Sequence, residues 1–303
     1  MTTRAADFGK TAVLMGGNSA ERDVSLNSGN AVMQGLLRRG VDAHGVDTRE
    51  DVVGQLTRGG FDRVFIILHG RGGEDGVIQG TLETLGIPYT GSGVAGSALG
   101  MDKYRCKLMW KGLGLPTPPF VMIRDESGLA EAEVLGFPLM IKPVHEGSSI
   151  GMTRVGDAGE LRSAWQEAMG YDSEVMAERW ITGPEYTASI LGEEALPLIR
   201  LETPHTFYDY DAKYLVDSTQ YHCPAGLTEE KELALRELAL RAFRSVGASG
   251  WGRVDLLLDE AGHPWLIEVN TVPGMTDHSL VPMAARVSGI DFDELVVRIL
   301  EMS

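Results

Sequence analysis

The sequence contains little cysteine and no long apolar run. Its two cysteines, Cys106 and Cys223, are too few for a disulfide framework, and they do not show the spacing of a paired metal site. The N-terminal stretch lacks the apolar core of a signal peptide, and no segment approaches the length that spans a membrane. These absences predict a cytoplasmic protein with no membrane partner.

Basic residues are also scarce. The chain has 27 Lys and Arg against 43 Asp and Glu, which gives a formal net charge of −16. A surface of this sign repels nucleic acid and anionic lipid, so neither is expected as a partner. A small anionic substrate can still bind where basic residues are gathered locally.

One common nucleotide-binding motif is missing and another stands in the wrong context. The absence of Gly-x-x-x-x-Gly-Lys-Ser/Thr disfavours a P-loop nucleotide hydrolase. Residues 91–96 (GSGVAG) do match Gly-x-Gly-x-x-Gly, which makes an NAD-dependent oxidoreductase the alternative of a different class. That alternative is disfavoured, because these glycines lie outside the first strand–helix unit and no acidic residue follows about 20 positions later.

Glycine, by contrast, is abundant, with 38 among 303 residues, mostly in short loops between apolar runs. Such placement is typical of tight turns and of backbone contacts with a ligand. In the first third, residues 11–15, 41–46 and 64–68 predict strands and residues 25–39 predict a helix. Because residues 64–68 are apolar throughout, we expect a parallel strand covered on both faces, within a small open α/β sheet.

The remaining chain is divided by the proline-rich segment 114–119, which cannot continue the helix predicted over residues 97–111. The pattern then predicts strand, helix, strand, loop, strand, helix and strand up to about residue 179. Strands at 186–191 and 196–200, a polar aromatic loop at 205–221, a helix at 228–246, strands at 253–258 and 265–270, and C-terminal helices follow. The predicted domains are 1–97, 98–183 and 184–303.

Four polar residues stand among apolar ones in the last two predicted strands, and we call them the acidic cluster: Arg253, Asp255, Glu268 and Asn270. Side chains alternate along a strand, so Arg253 and Asp255 share one face of the first strand, and Glu268 and Asn270 share one face of the second. A turn at 259–263 predicts an antiparallel hairpin, which places all four on one surface. They form either an ion-pair network or, as the oxygen donors favour, a divalent-cation site beside an anion.

At these residues the sequence resembles the ATP-grasp D-alanine–D-alanine ligases. The matching C-terminal segments are 252–255 (GRVD) and 268–275 (EVNTVPGM). Further matches follow the family's order along nearly the whole chain: 16–25 (GGNSAERDVS), 68–75 (LHGRGGED), 89–93 (YTGSG), 101–103 (MDK), 141–143 (IKP), 146–149 (EGSS), 207–214 (FYDYDAKY) and 278–283 (HSLVPM). Each motif alone is weak, but their order makes coincidence a poor explanation.

The resemblance implies an α/β protein with an ATP-grasp fold, preceded by a small parallel-sheet domain. ATP would lie between the central and C-terminal domains, and the reaction would join two D-alanine molecules through an acylphosphate. It also implies two Mg²⁺ (or Mn²⁺) ions, one held by Asp255 and Glu268 and the other by Glu268 and Asn270. Arg253 would face the reacting oxyanion.

The resemblance also assigns residues to ATP. Lys103 and Lys142 would contact phosphate, with Ser149 in a mobile loop above it, and Glu185 would contact the ribose. The strand Glu178, Arg179, Trp180 and Ile181 would hold adenine, although the family often has Lys where this chain has Arg179. The loop 205–221, with Phe207 and Lys213, would close over ATP as a lid.

For the amino acids, the resemblance places Glu21 at the ammonium of the first D-alanine, hydrogen-bonded with Ser148 and Tyr214. His69 would contact the first substrate, and Gly274, Ser279 and Leu280 would hold the second. Structural alternatives stay open for three of them: Glu21 as an exposed acid at a helix start, His69 as a structural histidine and Ser279 as a helix cap.

Tyr214 favours the dipeptide, because relatives that make the D-lactate ester tend to carry another residue there. A D-alanine–D-lactate or D-alanine–D-serine ligase remains the nearer alternative. A non-catalytic ATP-grasp-like binding protein would be expected to lose metal ligands that this chain keeps. The resemblance further implies a homodimer that acts in peptidoglycan precursor synthesis.

Overall fold

The computed structural model describes residues 5–203 and 219–303. A short 3-10 helix, Ala5–Phe8, precedes a three-stranded sheet of β1 (Lys10–Met15), β2 (Asp42–Asp47) and β3 (Arg63–Ile66). The sheet is parallel in the order β2-β1-β3. Its helices are α1 (Arg22–Arg38), α2 (Val52–Gly59), α3 (Val77–Leu85) and α4 (Val94–Met101). The predicted small parallel α/β sheet is confirmed.

A second sheet is antiparallel throughout, in the order β4-β7-β5-β6. Its strands are β4 (Phe120–Ile123), β5 (Leu139–Pro143), β6 (Thr153–Val155) and β7 (Val175–Arg179). The helices of this part are α5 (Lys103–Gly112), α6 (Glu126–Val134) and α7 (Ala158–Ala168). The predicted alternation of strands and helices up to residue 179 is confirmed.

The prediction of one helix over residues 97–111 is wrong. The chain leaves the helical conformation at Asp102, so that α4 ends at Met101 and α5 begins at Lys103. The Asp102 carboxylate accepts a hydrogen bond from the backbone N–H of Arg105 and thereby caps α5. An aspartate that satisfies a free amide in this way competes with continuation of the helix through it.

The third sheet is antiparallel, in the order β11-β10-β8-β12-β13, and β9 pairs with β8. Its strands are β8 (Glu185–Leu191), β9 (Glu194–Ala195), β10 (Ile199–Glu202), β11 (Gln220–His222), β12 (Trp251–Leu258) and β13 (Pro264–Asn270). Helix α8 (Glu229–Ser245) packs on it, which confirms the helix predicted at 228–246, and the Thr228 side chain caps its first turn. The strand predicted at 196–200 begins only at Ile199, and part of the predicted loop 205–221 is strand β11.

The last two helices, α9 (Leu280–Val287) and α10 (Phe292–Glu301), return to the first sheet. In α10 the buried residues Leu295, Val296, Ile299 and Leu300 lie on one face, and they join the same core as β1 and β3. Arg38 of α1 pairs with Asp293 of α10 at 2.6 Å. The last helix is thus packed against α1 and the core of the first sheet, while the division into three domains stays a prediction.

None of the helices in the described ranges combines the length and the apolar character that crossing a membrane requires.

Candidate active site

A cavity of about 530 Å³ lies where loops of the first and second sheets meet the hairpin of β12 and β13. It is lined by these residues that the sequence predicted for the site: Glu21, His69, Lys103, Ser148, Arg253, Glu268, Asn270, Gly274, Ser279 and Leu280. These side chains come from segments spread over most of the chain, so their meeting depends on how the three sheets are arranged.

The acidic cluster has the predicted geometry. Strands β12 and β13 are antiparallel, with Arg253 opposite Asn270 and Asp255 opposite Glu268. The residues between them, Val254 and Val269, are buried in the core on the other face. A β-bulge follows Asp255, so the regular register ends where the cluster ends.

Ion pairing and oxygen donors coexist in the cluster. Arg253 binds Asp255 with two hydrogen bonds, of 2.8 Å from Nε and 2.7 Å from Nη2. The Thr187 hydroxyl donates to the same carboxylate at 2.5 Å. A carboxylate has about four acceptor positions, so one position on Asp255 Oδ2 remains for a further partner.

The donor set fits a hard divalent cation. Two carboxylates face each other across the hairpin and the amide oxygen of Asn270 stands beside them, which is the ligand chemistry that Mg²⁺ prefers. Asn270 Oδ1 accepts from the backbone N–H of Val272 at 3.2 Å, which orients the amide. Lys103 Nζ lies 3.5 Å from Glu268 Oε2 and so balances part of the negative charge.

Lys103 also joins the cluster to the second sheet. Its ammonium donates to the carbonyl oxygen of Glu146 at 2.6 Å. Glu146 begins the loop that carries Ser148 and Ser149, and both serines adopt left-handed backbone conformations, with φ of 50° and 61°. Left-handed residues other than glycine are uncommon and concentrate where function demands a set geometry. The backbone of this loop is therefore held in an uncommon, left-handed conformation beside the cavity.

Glu21 and Ser148 meet across 127 residues of sequence. The Ser148 hydroxyl donates a hydrogen bond to Glu21 Oε1, and Glu21 is buried rather than exposed at the start of α1. Two glycines permit this approach, because a Cβ atom at Gly147 would lie 2.9 Å from Glu21 Oε2 and one at Gly70 would lie 3.1 Å from it. Tyr214, the third member of the implied trio, lies outside the described residues, as do Phe207 and Lys213.

Beside Glu21 lies a buried acid that sequence reasoning missed. Glu74 accepts hydrogen bonds from the backbone N–H of Gly70 at 2.6 Å and of Val272 at 3.3 Å. Burial and the neighbouring Glu21 raise the pKa of Glu74 to about 8, while burial lowers the pKa of His69. Both shifts favour the neutral forms near pH 7, so neither group places an additional charge beside Glu21. The sequence signal that could have identified Glu74 is its position within the matched segment 68–75.

The residues predicted for the second amino acid lie together. Ser279 precedes α9 but its side chain does not cap that helix, so the capping alternative is not supported. Its hydroxyl instead accepts from the backbone N–H of Thr276 at 2.9 Å. A Cβ atom at Gly274 would lie 3.2 Å from this oxygen, so glycine keeps the loop close to Ser279.

Lys142 is buried within a group of three charged side chains. Its Nζ lies 3.0 Å from Glu178 Oε1, and Lys107 Nζ lies 2.6 Å from the other oxygen. Burial opposes the ionisation of Glu178, yet the two lysines lower its pKa below the ordinary value. Lys107 was missed because a lysine in a predicted helix is normally exposed.

The segment predicted for adenine consists of the last two residues of β7, an inner strand of the second sheet, and the two residues that follow the strand. The backbone N–H of Arg179 donates to the carbonyl of Pro119 at 2.9 Å and that of Trp180 donates to Pro138 at 3.0 Å. The Arg154 guanidinium lies 5.3 Å from the ring centre of Trp180, a stacking contact that the sequence did not predict. Ile181 follows in the same segment, and Glu185 opens β8 on the neighbouring sheet.

His145 stands at the base of the loop of Ser148. Its ring nitrogens lie 2.8 Å from Asp172 Oδ2 and 3.2 Å from Asp102 Oδ2, and Arg105 and Glu174 flank this group. The hydrogen bond to Asp102 raises the pKa of His145; burial opposes that shift and Asp172 adds to it. The ring thus ties the loop to the start of α5, and protonation of the ring strengthens both contacts with the aspartates.

This raised pKa predicts a pH dependence of stability. A histidine with a higher pKa in the folded state contributes stability that is complete below about pH 6.5, its ordinary value, and is lost as the pH rises through the raised pKa. His145→Gln should therefore lower the melting temperature more at pH 6 than at pH 8, by about 1–3 °C. The matched control is His263→Gln on an exposed turn, and an equal loss at both pH values would contradict the prediction.

Comparison with known proteins identifies the family of the chain. The family profile described as "D-ala D-ala ligase C-terminus" matches residues 109–301, and the one described as "D-ala D-ala ligase N-terminus" matches residues 41–92. The D-alanine–D-alanine ligase of Alkalilimnicola ehrlichii is 64% identical over 298 residues, which cover 98% of this chain and 95% of that protein. That of Nitrosococcus oceani is 60% identical, with 98% and 94% covered.

Solved structures agree in fold. The D-alanine–D-alanine ligase of Bacillus anthracis superposes with a TM-score of 0.88 at 35% identity, and 97% of each chain is covered. The VanG D-Ala:D-Ser ligase of Enterococcus faecalis superposes with a TM-score of 0.85 at 31% identity, and 97% of this chain and 99% of that chain are covered. The profiles cover most of this chain and the curated relatives share well over half of their residues with it. The chain belongs to the D-alanine–D-alanine ligase family.

Proposed function

We propose that this protein uses ATP to join two D-alanine molecules into D-alanyl-D-alanine, releasing ADP and phosphate. One observation carries the proposal beyond family membership. A single cavity brings the Glu21–Ser148 pair, suited to an amino acid, together with the acidic cluster, suited to a metal-bound phosphate. A ligase that activates a carboxylate with ATP needs both in reach of each other.

In the first step, the carboxylate of one D-alanine attacks the γ-phosphate of ATP, and ADP leaves. Glu21 holds the ammonium of this D-alanine, and His69 adds a neutral contact beside it. Neutral Glu74 and His69 place no second charge there, so a single carboxylate matches a single ammonium. Lys103 faces the phosphate side of the cavity.

The metal belongs to the same step. Mg²⁺ (or Mn²⁺), when bound by Asp255, Glu268 and Asn270, would supply positive charge against the transferring phosphoryl group. Arg253, already oriented by Asp255, presents guanidinium donors to the anion next to it. The resemblance implies two such ions.

In the second step, the amine of another D-alanine attacks the acylphosphate carbon, the tetrahedral species collapses and phosphate leaves. Ser279, Gly274 and the start of α9 at Leu280 hold the carboxylate of this second D-alanine. Arg253 stabilises the negative charge that develops on the carbonyl oxygen. The amine must lose a proton before the peptide bond is complete.

ATP binding involves residues of both the second and third sheets. Lys142, Ser149 and Glu185 surround the nucleotide, and the segment Glu178–Ile181 takes the adenine. A relative from Bacillus anthracis was solved "complexed with ATP", with a TM-score of 0.84 at 32% identity. The predicted lid over 205–221, with Lys213, would exclude water from the acylphosphate.

The deciding experiment measures products rather than phosphate alone. With ATP and Mg²⁺, D-alanine as the sole amino acid should yield D-alanyl-D-alanine in proportion to phosphate released. Addition of D-lactate or D-serine at pH 6 to 8 should add little mixed product. Faster formation of the D-lactate ester or the D-serine dipeptide would overturn the assignment in favour of those ligases.

Three wider properties belong to the same proposal. The product serves peptidoglycan precursor synthesis, the enzyme acts in the cytoplasm, and it forms a homodimer as the resemblance implies. Light scattering at assay concentrations measures the mass directly, against 32.8 kDa for one chain.

A further inference from the structure

Lys107 is a completely buried lysine that the proposed chemistry does not use. Its Nζ donates hydrogen bonds to Thr117 Oγ1 at 2.8 Å and to the carbonyl oxygen of Leu266 at 3.2 Å, and it lies 2.6 Å from Glu178 Oε2 in an ion pair. Burial lowers the pKa of Lys107 to about 8 and Glu178 limits the shift, so most of the group is charged at pH 7.

The charges around Glu178 do not cancel. Lys107, Lys142 and Glu178 expose 0%, 2% and 5% of their side chains. Each oxygen of the single carboxylate is taken by a different ammonium, Oε1 by Lys142 and Oε2 by Lys107. The three groups therefore hold one excess positive charge away from water. Such a charge is unfavourable unless an anion compensates it.

The position of these groups indicates which anion. Lys142 ends the apolar part of β5, directly before the segment that leads to the loop of Ser148. Lys107 is bonded to the backbone of β13 at Leu266, two residues before Glu268 of the acidic cluster. The excess charge thus lies between the strand predicted for adenine and the strand predicted for the metal. A nucleoside triphosphate is the anion that would span these two strands.

We propose that Lys107 is a positioning residue for the nucleotide: by sharing Glu178, it prevents that carboxylate from neutralising Lys142, and so keeps Lys142 available to a phosphate of ATP. The inference rests on the proposed function for the identity of the nucleotide. Without Lys107, Glu178 and Lys142 would form a neutral buried pair. ATP would then meet no excess charge at this position.

The test compares the ATP affinity of variants that differ in the net charge of Lys107, Lys142 and Glu178. Lys107→Met removes the charge, and Lys107→Gln removes it while keeping an amide that can donate to Glu178. Both should raise the dissociation constant of ATP, measured by titration calorimetry without D-alanine, and the KM for ATP by about tenfold. The KM for D-alanine should change less than about twofold, because its site is separate from the triad.

The double variant Lys107→Met/Glu178→Gln provides the rescue. It restores a single positive charge on Lys142, so ATP affinity should return to within about threefold of wild type. Thr117→Val is the matched control, because it removes one hydrogen bond of Lys107 without changing charge, and it should weaken ATP binding less than about threefold.

Two outcomes would overturn the inference. One is an unchanged ATP dissociation constant in whichever of the two single variants folds, as judged by its melting curve. The other is a double variant that binds ATP no better than Lys107→Met, which would make the role of Lys107 purely structural. Failure of the proposed function is distinguishable, because it would remove D-alanyl-D-alanine formation in wild type while leaving the calorimetric comparison intact.

Discussion

Glu268→Gln is expected to lower D-alanine-dependent phosphate release by about a thousandfold or more, since a lost metal ligand removes several kcal/mol of transition-state stabilisation. Glu268 is opposite Asp255 on the hairpin and is the carboxylate that the two implied ions would share. Gln keeps the size and one oxygen but removes the charge. Phosphate release is measured at saturating ATP and Mg²⁺.

The matched control is Glu260→Gln, the same chemical change at the exposed turn of the same hairpin. It should leave the rate within about twofold of wild type, because surface substitutions away from a site act weakly. Both variants should melt within a few degrees of wild type. Near-normal turnover by Glu268→Gln would mean that the metal site is elsewhere.

Glu21→Gln is expected to lower kcat/KM for D-alanine by about a hundredfold or more, because a hydrogen bond to a charged group is lost from a buried site. Gln can still accept the hydrogen bond from Ser148, so the loop geometry should persist. Burial, the larger of the two causes that raise the pKa of Glu74, persists in this variant and disfavours a replacement charge on that neighbouring carboxyl group. Initial rates over a range of D-alanine concentrations measure the effect.

Asp23→Asn serves as the control for this variant. Asp23 lies two residues further on, in the first turn of α1, and is exposed. The kcat/KM of Asp23→Asn for D-alanine should equal that of wild type. The dissociation constant of ATP should stay unchanged in both variants, and a loss of ATP binding by Glu21→Gln would show that Glu21 acts on the nucleotide instead of the amino acid.

Hydrophobic periodicity and the residues that begin or end helices and strands predicted most elements correctly. Both signals depend on interactions between residues that are close in sequence. The strand–helix alternation before residue 179 and the capped helix after Thr228 are examples. The single helix over 97–111 failed at Asp102, where a side-chain cap outweighed helix continuation. The strand expected from residue 196 begins later, at Ile199, although Leu196 and Leu198 are buried.

The titratable residues that the sequence analysis missed share one cause. Glu74, Lys107 and His145 are each a single polar residue in a helix or loop, where exposure is the ordinary outcome. Glu74 and Lys107 are buried and His145 is partly buried, and their partners come from distant segments, such as Leu266 for Lys107 and Val272 for Glu74. Burial is a property of the assembled chain, so local sequence carries little signal for it.

Sequence by itself determined the family, the hairpin and the common face of Arg253, Asp255, Glu268 and Asn270, because strand alternation acts over a few residues. Tertiary structure alone decided that Lys103 lies beside Glu268 and that Glu74 is buried beside Glu21. It also decided that α10 closes the first core and that Glu178 is shared by two lysines. Those contacts join segments far apart in the chain, and only packing of the three sheets brings their atoms within hydrogen-bonding distance.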